Sequence, residues 1–124
     1  MGSQTWEFNG SSFELDMRDA VQAERYEDAA ELMQKEYEEI PKGAKMSERL
    51  RAQCGCIGRF FERVFNRPDA AELLFGDSLN LGIYNDAYYS FLDFIVAQGE
   101  AERRRLDEMM EKYSLARIKG REKK

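Results

Sequence analysis

Cys54 and Cys56 are the most nucleophilic side chains in the sequence, and they stand two positions apart in a stretch with helical apolar spacing. In a helix, positions i and i+2 point about 200° apart, so the pair is not placed to form a disulfide with itself. The 124 residues include no histidine. That excludes serine–histidine and cysteine–histidine nucleophile systems, and it removes the commonest general base and the commonest metal ligand. Two thiols without histidine also fall short of a zinc site, which usually needs four nitrogen or sulfur ligands. The expected state is two reduced, partly buried small side chains.

Carboxylates are abundant, as in Glu27 with Glu31 or Glu38 with Glu39. Catalytic carboxylates need burial or a special partner to separate their pKa values. These lie on the polar side of an amphipathic pattern, so a solvated acidic face is expected. Gly76-Asp77-Ser78 lacks the lysine and the glycine spacing of a phosphate-cradling loop. The acids follow helical rather than calcium-loop spacing. Tyr84, Tyr88 and Tyr89 with Phe91 and Phe94 could line an aromatic pocket, but at this spacing core packing is the expectation. Arg103-Arg104-Arg105 could grip phosphates or an acidic partner; the acids interleaved around them favour a mixed surface helix. No catalytic, cofactor-binding or metal-binding residue is therefore assigned, and the protein is read as a non-enzyme. What remains is surface for binding. The candidate is the thin stripe Leu106, Met109, Met110 and Tyr113, because flexible methionines suit an adaptable protein contact. The alternative is that this stripe packs back on its own domain.

The elements that would position these residues follow from periodicity. Trp6 and Phe8 alternate with polar residues before Asn9-Gly10, and Phe13 and Leu15 do so after it. This predicts a β-hairpin with one apolar face, whose turn residues tolerate positive φ. Such a hairpin is marginal alone, so it must pack on helices or pair with another chain. Asp16 is the expected N-cap of a first helix from about Met17 to Glu39. Its apolar positions Ala23, Tyr26, Ala30, Met33, Tyr37 and Ile40 are spaced 3-4-3-4-3, as in a helix-packing seam. Pro41 and Gly43 end it.

Ser47 is the expected cap of a second helix, about Glu48 to Asn66. Its stripe is Leu50, Cys54, Ile57, Phe61 and Val64, flanked by Phe60 and Phe65. Gly55 and Gly58 inside it each cost about 1 kcal/mol relative to alanine, which predicts close approach of another backbone or a bulky aromatic. A short third helix is expected over about Asp69 to Phe75, with Gly76 at its C-cap. A fourth starts near Leu81, with Tyr84, Ala87, Tyr88, Phe91, Leu92, Phe94 and Ile95 on an arc broad enough to pack on more than one side. Gly99 either breaks this helix or is tolerated within it.

The fold class is thus mainly α: a helical bundle of four to five helices preceded by a short N-terminal β-hairpin. Residues 1–4 are read as a cloning remnant or disordered. Residues 5–97 form the hairpin and helical domain, 98–118 a charged amphipathic helix, and 119–124 a disordered basic tail. The longest apolar runs are far shorter than the ~20 residues of a membrane span, and no secretory signal opens the chain. The net charge of −5 is uneven, with −7 over residues 14–39 and +4 over 113–124. An acidic body makes nucleic acid an unexpected partner.

Three stretches together carry a family resemblance: Trp6 to Gly10 leading to the acidic helix, Arg51 to Cys54 running into Arg59 to Phe65, and Leu74-Phe75-Gly76 followed by Asn80-Leu81-Gly82 and Phe91 to Phe94. In this order the chain resembles a family of small phage and prophage tail-module proteins of Gram-positive bacteria. The resemblance covers about residues 5–97. It implies a non-catalytic tail-assembly chaperone in the bacterial host cytoplasm, binding the tape-measure protein, or another tail protein, by reversible helix-to-helix contact. It brings no catalytic or ligand residues. Two alternatives stand beside it: a structural tail component, and a phage protein that binds a host defence or regulatory protein through the acidic first helix. Self-association remains open.

Overall fold

The structure, a computed structural model, describes residues 4–122, with side chains through Ser114. The chain folds as the predicted hairpin followed by four helices. Strands β1 (Thr5–Phe8) and β2 (Ser11–Glu14) pair antiparallel, with Trp6 opposite Phe13. Asn9 and Gly10 both take positive φ, 53° and 82°, the left-handed conformation that a two-residue hairpin turn requires. Gln4 is tied to the sheet, its carbonyl accepting from the Leu15 N–H at 2.8 Å, so the expected disorder does not reach it.

Helix α1 spans Ala20–Glu38. It starts later than the sequence reading placed it. Asp19, not Asp16, is the cap, its side chain accepting from the Gln22 N–H at 3.2 Å. Asp16 is drawn instead into a turn that accepts from the backbone and guanidinium of Arg18. Helix α2 spans Met46–Val64, and Ser47 falls inside it rather than capping it. The Glu48 carboxylate accepts from the Lys45 N–H at 3.0 Å, which closes the first turn. Asn66, at φ 53°, ends α2, and the Arg67 N–H reaches back to the Glu62 carbonyl, as in a Schellman turn. Helix α3 covers Ala70–Phe75 and ends at Gly76, φ 55°.

Helix α4 runs unbroken from Leu81 to Glu122, 42 residues, about 63 Å at 1.5 Å per residue. Gly99 is tolerated within it, in open space. The helix also passes through positions 119–122, where a disordered tail was expected. Residues 1–3 and the last two lysines lie outside the described residues.

The hairpin packs on the helices. Trp6, Phe13 and Leu15 are buried. Trp6 stacks on Phe61 at 5.2 Å and meets the edge of Phe91 at 5.4 Å, while Phe13 stacks on Phe65 at 4.6 Å. The indole N–H donates to Ser90 Oγ, which satisfies its one polar atom. The turn caps α3: Asn9 Nδ2 and Ser11 Oγ donate to the Leu74 and Leu73 carbonyls, two of the acceptors that a helix end leaves open. Helix α2 is the centre, burying Cys54, Cys56, Ile57, Phe60, Phe61 and Val64. Leu50, expected in its stripe, is 38% exposed and does not join the core. Gly58 does have a close neighbour, but a small one: a Cβ there would stand 3.3 Å from that of Ala71 and 3.9 Å from the Tyr84 ring, whereas one at Gly55 would meet only the Arg59 side chain of its own helix.

Candidate docking surface

The apolar arc of α4 changes partner along its length. Tyr84, Ala87 and Phe91 are buried. Tyr84 stacks on Phe75 at 3.8 Å and donates to the Ser78 carbonyl. Of the tyrosine group, Tyr84 is core, Tyr88 meets Phe60 edge-on, and Tyr89 is largely exposed. Gln98 then makes the join between α4 and the chain leaving the hairpin. It is 3% exposed. Its Oε1 accepts from the Met17 N–H and its Nε2 donates to the Leu15 carbonyl. One amide thereby satisfies backbone groups that could not otherwise be buried cheaply. Just beyond, the Glu102 carboxylate accepts from Arg105 at 2.7 Å and from Arg18 at 3.4 Å. The two guanidiniums, Arg105 first, hold its carboxyl below the usual glutamate range.

From Arg103 through Ser114 every residue of α4 is exposed. This stretch carries all four residues of the predicted stripe. Leu106 is 46% exposed, Met109 44%, Met110 67% and Tyr113 70%. Together with Ser114 they form one continuous face of the helix. None belongs to the core cluster. The stripe therefore does not pack back on its own domain. Arg105 also lays its guanidinium along one edge, with Nη1 3.4 Å from Met109 Sδ.

The other candidate groups lie elsewhere. Cys54 and Cys56 are buried and unbridged, and burial raises both thiols above the usual range. They are protonated at neutral pH and poor nucleophiles in that state. Glu27, Glu31, Glu38 and Glu39 are exposed. Glu31 lies 3.9 Å from Lys35. Among the described residues no group of three acids, cysteines or histidines could hold a metal ion, and no helix is long and apolar enough to cross a membrane.

Sequence reasoning missed Glu36. Its carboxylate joins α1 to α2, 2.9 Å from Arg63 and 3.1 Å from Arg59, and the Arg63 hydrogen bond is the first cause of its lowered pKa. The only available signal was the i, i+4 spacing of the two arginines, which is common on any solvated helix. Gln98 was missed too, since a polar residue at the edge of an apolar arc reads as solvent-facing.

The model of a family of unknown function, DUF6673, matches residues 9–124, and the chain belongs to that family. No curated protein and no solved structure matches the chain.

Proposed function

We propose that this family member is a non-catalytic binding protein that holds another polypeptide against the free half of α4, acting as a phage tail-assembly chaperone for the tape-measure protein in the host cytoplasm. The observation that carries the binding reading is the stripe from Leu106 to Tyr113. It continues the apolar arc of α4 after the body has ended, and its side chains stand in water. Exposed apolar side chains at 3-4 spacing on a preformed helix are the complement of a partner helix. Preformation lowers the ordering cost of association. The closed body beneath it holds the helix without taking part in the contact. The resemblance of residues 5–97 to tail-module proteins supplies the partner class: a long helical protein that needs its apolar faces covered until the tail tube forms.

Co-expression with a phage tape-measure protein tests the reading. The full chain is expected to keep the tape-measure protein soluble and to co-purify with it, and Met109→Asp/Met110→Asp to lose both effects while remaining folded. Retention of the complex by that variant would overturn the assignment of the surface. Stoichiometric presence in purified particles would make the protein a tail component instead of a chaperone.

A further inference from the structure

Charge is divided along this molecule at the point where α4 becomes free. Residues 1–102 hold ten basic and twenty acidic side chains, a net of −10. Residues 103–124 hold nine basic and four acidic, a net of +5. The free helix extends about 30 Å at 1.5 Å per residue. With a screening length of about 8 Å at physiological salt, most of it lies outside the field of the acidic body.

The same division is visible around the stripe. At about 100° per residue, the four apolar side chains occupy an arc of roughly 100°. Arg103 lies about 20° beyond its Met110 edge, and Arg105 and Lys112 about 40° and 60° beyond its Met109 edge. Asp107 is the one acid on these flanks. Glu102 stands within the arc at its body end, already held by Arg105 and Arg18. Glu100, Glu108 and Glu111 fall on the opposite face, together with Arg104. Among the described residues, Arg103 and Lys112 are thus the unpaired cations bordering the apolar surface, against the single acid Asp107, while Arg105 is shared with Glu102. A second copy docking stripe to stripe would bring the same excess of border cations, which disfavours self-association through this surface.

We infer that the occupant of the stripe is an amphipathic helix of a different protein, with carboxylates bordering its apolar face. This rests on the docking reading above and names the chemistry of its partner. Cations beside an apolar seam select anions beside the facing seam and speed encounter. A nucleic acid would use the cations and leave Leu106, Met109 and Met110 in water, so a protein helix fits the whole surface better.

The test uses the full chain and two fluorescent helical peptides that share one leucine stripe, bordered by glutamates in one and lysines in the other. The glutamate peptide is expected to bind at least about tenfold more tightly at low salt, with the difference shrinking as salt is raised. Arg103→Glu/Lys112→Glu should reverse the order. Met109→Asp/Met110→Asp should weaken both peptides. Equal affinity for the two peptides overturns the charge inference and leaves the docking reading standing. Binding untouched by the methionine substitutions, or no binding of either peptide, overturns both. Tighter binding to duplex DNA or to vesicles of anionic lipid, or a dimer abolished by Met109→Asp/Met110→Asp, also overturns the inference.

Discussion

Replacing Trp6 with alanine tests whether the hairpin is part of the core. Trp6 is 3% exposed and is the only tryptophan. Its ring centre lies within 6.2 Å of those of Phe8, Phe13, Phe61, Phe65 and Phe91, so it joins both strands to α2 and α4. Truncating a buried tryptophan costs about 3–5 kcal/mol, a large share of the 5–15 kcal/mol that holds a typical domain. At about 4 °C per kcal/mol for a body of this size, the melting temperature falls by roughly 12–20 °C. Trp6→Phe keeps the stacking on Phe61 and loses the bond to Ser90, for about 1–2 kcal/mol. The assay is thermal unfolding followed by far-ultraviolet circular dichroism on monomeric protein. If Trp6→Ala melts within about 3 °C of the parent, the hairpin does not hold the helices together and its apolar face serves another purpose.

Gln98→Leu strips the Met17 N–H and the Leu15 carbonyl of their partner and should cost about 2–4 kcal/mol in urea unfolding; a loss under about 0.5 kcal/mol would contradict the join. Gly58→Leu drives a side chain into Ala71 and should destabilise by about 1–3 kcal/mol. Gly99→Ala, in open space, should stabilise by up to about 1 kcal/mol, and calorimetry of the two variants reads both signs. Glu36→Gln should cost about 0.5–1 kcal/mol, because the ion pairs with Arg63 and Arg59 are partly exposed. The folded-state pKa of Glu36 is lowered, so its contribution is present above the unfolded-state pKa and is lost as pH falls through the folded one. Urea titrations should show the parent and Glu36→Gln converging in acid; a constant difference down to pH 2 would refute the pairing.

Periodicity made the hairpin, the seam of α1 and the arc of α4 legible, because burial of one face imposes spacings of two or of three and four. The residues assigned to helix ends were less so. Asp16 and Asp19 are both good caps, and only the turn through Arg18 decides between them. The cap of α2 falls at Lys45, two residues before Ser47, where the Glu48 side chain accepts from the Lys45 N–H. Leu50 carried the right spacing but stays outside the core, which spacing alone does not reveal. The stripe from Leu106 to Tyr113 was legible as a stripe. Its exposure was not, because Gly99 left open whether the helix turned back on the body or continued away from it. Glu36 and Gln98 escaped notice because their partners are 23 or more residues distant, and no local pattern announces such pairs.

The separation of a closed body from a free docking helix is tested most directly by ending the chain at Glu102. The side chains of residues 103–114 are exposed, so the shortened protein should unfold within about 1 kcal/mol of the full chain, the scale of a frayed helix end, and should no longer bind the glutamate-bordered peptide or the partner proposed for the stripe. Global unfolding of the shortened chain, or binding that survives intact, would contradict the account.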